Sequence, residues 1–298
     1  MQPLPDPGKT TAAPTAVAQA PVAKPSAEPE VKLTARELLE RTVKAYASAS
    51  GYSDLGFITQ SYVLNGQPYE QRQPLTIACE KPNKLRLECY NVKLICDGEQ
   101  VHGTIRDKDG ILELAAPATL TQDNVVVDET MQAELNRGFG GNPLQLLLLY
   151  SADPLAVILG DQQATLLPDL DHAGRRCQRV KISSPAGDVV LWLDATTYVV
   201  RRLDYPLNEL KKELSKQGEV KQLMQYADFV GAELNPRPEP EAFAFEVPKG
   251  ALLVKRFLSI PAPLKPTPLL GKLSPQFEFK TTNGDKVTAD SLTDKVAV

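Results

Sequence analysis

The stretch Glu80-Lys81-Pro82-Asn83-Lys84-Leu85-Arg86-Leu87-Glu88-Cys89-Tyr90 decides the fold. Leu85, Leu87 and Cys89 alternate with Arg86, Glu88 and Tyr90, so one face of an extended chain is apolar and the other meets water. Lys81-Pro82-Asn83-Lys84 in front of it is turn chemistry, and Asp97-Gly98 just beyond is a second hairpin signal. The same pattern spreads outward. Asn65-Gly66 upstream and Asp109-Gly110 downstream mark further turns, so Tyr52 to Leu114 reads as an antiparallel meander.

A helix precedes the meander. Thr34-Ala35-Arg36-Glu37 is a capping box, with Thr34 as N-cap and Glu37 reaching back. Leu38, Leu39, Thr42, Val43, Tyr46 and Ala47 then share one helical face, which predicts a helix over 35–49 ended by Gly51. Residues 128–160 are helical again. Asn142-Pro143 reads as an N-cap followed by a first-turn proline, and Leu144 to Leu149 is apolar on nearly every side. Asp153-Pro154 opens a second short helix, Leu155 to Leu159, stopped by Gly160. Strands return at Ala164–Leu167, Arg176–Ser183, Asp188–Asp194, Tyr198–Tyr205 and Val220–Phe229, with Ala186-Gly187 and Ala195-Thr196 as turns. Ala242–Val247 and Leu252–Phe257 are expected to form a last strand pair.

Composition narrows the function classes. A chain of 298 residues allows one or two domains and ample core. Its net charge of −4 argues against a nucleic-acid binder driven by counterion release. The longest apolar runs, Leu146–Tyr150 among them, are far below the ~20 residues of a membrane-spanning helix. His102 and His172 are the only histidines and stand apart, so they read as surface residues. Asp169 and Asp171 beside His172 read as a solvated turn, and no metal or cofactor is expected. No G-x-S-x-G or H-E-x-x-H motif is present, and Gly138-Phe139-Gly140-Gly141 reads as a hinge rather than a phosphate loop.

Cys79, Cys89, Cys96 and Cys177 form no C-x-x-C pair. A hairpin over 85–97 would bring Cys89 and Cys96 nearly opposite each other, which leaves two readings open: a cross-strand disulfide, or small buried hydrophobes. Met1–Glu30, with seven prolines and seven alanines, reads as an extended tether of the kind that follows a removed export signal or lipid anchor. Ser259 to Pro268, with four prolines, reads as a linker. Beyond it, Phe277 and Phe279 alternate, Asn283-Gly284 turns, and Lys295-Val296-Ala297-Val298 looks like the first residues of a buried strand. The chain is therefore expected to stop inside a second domain.

Residues 33 to 258 resemble the periplasmic lipoprotein carrier (LolA/LolB-like) superfamily. The resemblance is carried by the leading helix, by Glu80-Lys81-Pro82-Asn83-Lys84-Leu85-Arg86-Leu87-Glu88, by Cys96-Asp97-Gly98-Glu99-Gln100, by the leucine-rich helical insertion and by Phe243-Ala244-Phe245-Glu246-Val247-Pro248-Lys249-Gly250. It implies a mainly β (α+β) fold: a curved antiparallel half-barrel whose concave face is plugged by helices, with a cavity for acyl chains. It also implies export to the periplasm or cell envelope of a bacterium, and peripheral or tethered membrane association. The position of the family's lid-holding arginine is Lys81, which keeps the charge and loses the planar fork.

Residues 271–298 resemble the opening of the redoxin/thioredoxin-like fold, as in peroxiredoxin and TlpA-type proteins. Gly271-Lys272-Leu273-Ser274-Pro275-Gln276-Phe277-Glu278-Phe279 matches its first segment; Asn283-Gly284-Asp285-Lys286-Val287 and Ser291-Leu292-Thr293-Asp294-Lys295-Val296 match the hairpin and strand that follow. This implies a catalytic cysteine beyond Val298, in a thiol-disulfide oxidoreductase or peroxidase. No catalytic residue is expected within the chain itself.

The expected organisation is thus a tether (1–32), a carrier-like domain (33–258), a linker (259–270) and the start of a redoxin-like domain (271–298). Leu144, Leu147, Leu148, Leu155 and Ile158 are the candidates for lining an apolar cavity that takes a lipid-like or lipoprotein acyl ligand. The alternative for these leucines is ordinary contact between helix and sheet. Leu87, Trp192 and Met224, with Phe57, Ile58 and Tyr226, are candidates for the facing wall. Lys81 is the candidate latch. A second functional reading makes the carrier-like domain only an interaction module of a thiol-redox enzyme.

Overall fold

The computed structural model describes residues 33–237, 239–258 and 276–292. The tether, the 259–270 linker, the Gly271–Pro275 opening and the final residues 293–298 lie outside them.

Helix α1 (Ala35–Ser48) leads into a meander of β1 (Gly51–Leu64), β2 (Gln67–Glu80), β3 (Lys84–Cys89), β4 (Val92–Asp97), β5 (Gln100–Ile105) and β6 (Ile111–Ala115). Three helices follow: α2 (Glu129–Arg137), α3 (Leu144–Tyr150) and α4 (Pro154–Leu159). The sheet resumes with β7 (Ala164–His172), β8 (Arg175–Ser184), β9 (Gly187–Asp194) and β10 (Val200–Asp204). Helix α5 (Asn208–Ser215) then precedes β11 (Val220–Asp228), β12 (Glu233–Leu234) and β13 (Leu253–Val254). One curved, open sheet takes all thirteen strands in the order β13-β6-β5-β4-β3-β2-β1-β11-β10-β9-β8-β7, with β12 also pairing β1. Its two halves meet where β1 pairs with β11, seating Ile58 opposite Ala227. Among the described strands, only the β6–β13 contact is parallel.

The sheet is two-faced, as its alternation demands. Leu75, Ile77, Leu85, Leu87, Leu94, Leu191 and Leu203 point to one face and join residues of α1–α4 in a single core. Thr34 accepts the N–H of Glu37, whose carboxylate takes the N–H of Thr34, so the capping box forms as read. Asp153 likewise accepts the N–H of Ala156 at the start of α4. The hydroxyl of Tyr46 accepts the N–H of Val200, where a bulge frees that group from the ladder.

Several expectations are corrected. The 240–247 segment alternates like a strand, but it is a short 3-10 turn (Pro240–Phe243) followed by irregular chain. It covers the outer face: Phe243 is buried, Phe245 stacks on His102 at 4.9 Å, and Arg86 donates to the carbonyl of Ala242. His102 is therefore buried rather than on the surface. Helix α5 has no counterpart in the sequence reading. His172 ends β7 instead of sitting in a turn, 3.1 Å from the Asp228 carboxylate. Asn142 does not cap α3; Pro143 holds the cap position, without a side-chain bond. Nor is Gly138-Phe139-Gly140-Gly141 a loose hinge. A Cβ on Gly138 would fall 2.0 Å from the Tyr90 ring, and one on Gly140 would fall 2.7 Å from the Tyr205 hydroxyl. The loop lies flat on these tyrosines because it has no side chains there.

The cysteine geometry is also corrected. The β3–β4 turn is Tyr90-Asn91, so Cys89 faces Val92, while Cys96 faces Leu85 four residues back along the strand. That offset is roughly 13 Å, beyond the reach of a disulfide. All four cysteines are free and buried, and burial pushes the Cys89 thiol up to about 12. They behave as small hydrophobes.

The described residues near the C-terminus form a separate hairpin, β14 (Glu278–Lys280) with β15 (Lys286–Thr288), followed by a 3-10 turn over Asp290–Leu292.

Candidate functional site

A cavity of about 450 Å³ opens on the helix-bearing face of the sheet. Its apolar lining comes from three elements. Leu144, Leu146 and Leu147 belong to α3, Val125 and Val126 to the loop before α2, and Leu203 to β10. Leu144 and Leu147 stay half-buried because they turn toward this space, while Leu146, Leu148 and Leu149 on the same helix sink into the core. Pockets that hold small ligands run ~300–1,000 Å³ and are mostly apolar with a few polar groups, and this one has that character. A hollow of about 330 Å³ by the Tyr90-Asn91 turn differs in kind, since Glu88, Lys93 and Arg106 line it.

The structure thus brings two of the expected residues, Leu144 and Leu147, to the cavity. Leu148 and Leu87 are core residues, and Leu155 and Ile158 pack against the core from α4. Trp192 and Met224 are on the wrong side of the sheet. Opposite residues of an antiparallel pair share a face, and Trp192 pairs with Arg202, which pairs with Asp228, which pairs with Phe57. This is the outer face, where Tyr226 and Met224 also lie, Met224 being 51% exposed. Trp192 donates to Asp204 at 2.8 Å and carries Arg179 over its ring. Arg202 lies 3.8 Å from the Tyr226 ring centre, and Arg72 lies 3.7 Å from that of Phe57. These groups satisfy one another. Of the proposed wall, only Ile58 and Leu87 face inward. Val125, Val126 and Leu203 were missed, since nothing local marks a loop as returning over a strand distant in sequence.

Lys81 is a latch, but for a different helix. Its ammonium donates to the carbonyls of Ala47 at 2.9 Å and Tyr46 at 3.4 Å, closing the C-terminal end of α1 rather than holding α2–α4. Helix α1 has no basic residue in its own last turn, so the turn between β2 and β3 supplies the cation that the end of the helix favours. Asn83 in the same turn donates to the carbonyls of Gly98 and Pro117, each at 2.9 Å, and ties the neighbouring loops down. Lys81→Met should lower stability by about 1–2 kcal/mol in urea unfolding, the scale of a hydrogen bond from a charged donor, and Lys81→Arg should retain most of it.

A buried polar group sits beside the apolar one. Arg201 bonds Asp194 through Nε and Nη2, both at 3.1 Å, and donates to the carbonyl of Ala232. Burial alone would raise the Asp194 carboxyl, but the N–H groups of Thr197 and Thr196 and the Arg201 guanidinium outweigh it and hold it low. Asp54 is the opposite case. Burial pushes it up to about 7, against the hydrogen bond from the Gly231 N–H. Among the described residues, Asp54 Oδ2, the Tyr52 hydroxyl and both polar atoms of the Gln145 carboxamide have no hydrogen-bond partner. No group of three or more His, Cys, Asp or Glu side chains among the described residues gathers as a metal site. Asp169 and Asp171 instead flank Arg176, at 3.5 and 3.6 Å. No described helix is long and apolar enough to cross a membrane.

No protein-family model and no curated protein matches the chain. Solved structures with a similar arrangement include an uncharacterized conserved protein from Thermus thermophilus, at 9% identity and a TM-score of 0.38 over 75% of this chain and 99% of that one. Lipoprotein LppX of Mycobacterium tuberculosis is similar at 9% identity and a TM-score of 0.35, covering 69% and 97%. A LolA superfamily protein from Nitrosomonas europaea is similar at 8% identity and a TM-score of 0.27, covering 72% and 99%. At such identities and scores no residue role carries over.

Proposed function

We propose that residues 33–258 are a carrier-like binding domain that takes the acyl chain of a lipid or lipoprotein into the cavity between α3, the 122–126 loop and β10. The observation that carries this is the pair Leu144 and Leu147, half-buried around open apolar space on a helix whose Leu148 and Leu149 are packed in the core. Each methylene moved from water into that space contributes roughly 0.8 kcal/mol, so a chain of modest length is held without any polar contact. The domain works in the periplasm or at the cell envelope, joined by the 259–270 linker to a redoxin-like unit. The support for that unit is the residue pattern of 271–298, within which the described part forms a hairpin followed by a 3-10 turn.

Leu147→Trp tests the reading by filling the cavity from its own wall. Native mass spectrometry with a medium-chain lipid should show occupancy of the wild type and at least about tenfold weaker binding by the variant. Equal binding by both, with the circular dichroism unchanged, would place the ligand elsewhere. It would also favour the reading of this domain as an interaction module.

A further inference from the structure

The rim of the cavity carries three carboxamides, Gln122, Gln132 and Asn142, and no charged side chain lines it among the described residues. Their orientation has a chemical consequence. The Asn142 amide donates to Asn136 Oδ1 at 2.7 Å, and the Gln132 amide approaches the same oxygen at 3.5 Å. Each amide spends one of its two N–H groups there, while Oδ1 of Asn142, Oε1 of Gln132 and the whole Gln122 carboxamide take part in no hydrogen bond among the described residues. The mouth of the cavity therefore offers neutral acceptors and amide donors, and no cation among the described residues.

A carboxylate or phosphate brings only acceptors to such a rim, and it loses water without gaining a counter-charge. A hydroxyl group is donor and acceptor at once, so it uses both the oxygens and the N–H groups of this neutral rim. We propose that the ligand is an uncharged, hydroxyl-bearing amphiphile with a single acyl chain, of the monoacylglycerol type, and that Gln132 and Asn142 select its headgroup against ionised lipids. This rests on the acyl-chain reading above and adds the class of headgroup.

The test uses the full chain at pH 8, below micellar concentrations, with 1-decanoylglycerol, decanoate and decane as probes. Decanoylglycerol should bind at least about tenfold more tightly than decanoate. Gln132→Lys should remove most of that ratio by strengthening decanoate, and Asn142→Lys should do the same. Decanoate binding the wild type as tightly as decanoylglycerol, while decane also binds, would overturn the headgroup selection and leave the acyl cavity standing. Failure of all three probes to bind would overturn the cavity reading and this selection together.

Discussion

Arg201→Met is expected to cost about 3–5 kcal/mol of folding stability, because it leaves the Asp194 carboxylate buried without its main counter-charge. Both side chains are almost fully buried, at 7% and 5% exposure. The two Thr N–H groups and Arg175, 3.5 Å away and largely exposed, are a poor replacement. The pair also holds β10 to the 229–232 loop through the carbonyl of Ala232, at the junction between the two halves of the sheet. The double variant Asp194→Asn with Arg201→Met should lose clearly less than the sum of the single losses, as coupled neighbours do. Urea unfolding of the four proteins measures this, and additive losses would show that the pair is not coupled.

Asp54→Asn should act in the other direction. The carboxyl titrates near 3.8 when exposed and about 7 in the fold, so the native state takes up a proton that the unfolded chain does not hold. The contribution of Asp54 to stability is therefore full below about pH 4, falls as the pH rises to about 7, and is lost above that. Asparagine has the shape of the neutral acid and cannot ionise. The variant should match the wild type near pH 4 and exceed it at pH 8 by about 3–4 kcal/mol. A stability-against-pH curve that keeps the same slope in wild type and variant would assign the slope to another group.

The backbone plan was legible where local chemistry is strong. Period-two alternation over Lys84–Asp97, the Thr34 capping box and the Asp153 cap each name their element from a few residues. What could not be read was the side of the sheet that is covered. In Val190-Leu191-Trp192-Leu193 both faces are apolar, and Trp192 draws the eye as the largest group. Its partner across the ladder, Arg202, is ten residues away, and bulges at Val200/Arg202 and Ser61/Val63 reset the alternation on the way. The Phe243–Val247 stretch failed for a related reason. Its alternating aromatics pack on His102 and the outer face without any ladder partner, so the pattern records burial and not strand pairing. Helix α5 had a signal, Leu207, Leu210 and Leu214 at helical spacing, but no capping side chain announced it. The cavity itself is a long-range product of a loop, a helix start and a strand, which explains why only its α3 residues could be named in advance.

The acyl chain is proposed to enter beside α3 and not on the outer face, and the single native tryptophan makes this directly measurable. Leu144→Trp places a second indole at the cavity mouth, while Trp192 stays on the opposite face. Titration with a monoacylglycerol brominated along its chain should quench the introduced indole and leave the wild-type emission unchanged. Quenching of the wild type to the same degree, or of neither protein at concentrations that saturate binding, would contradict it.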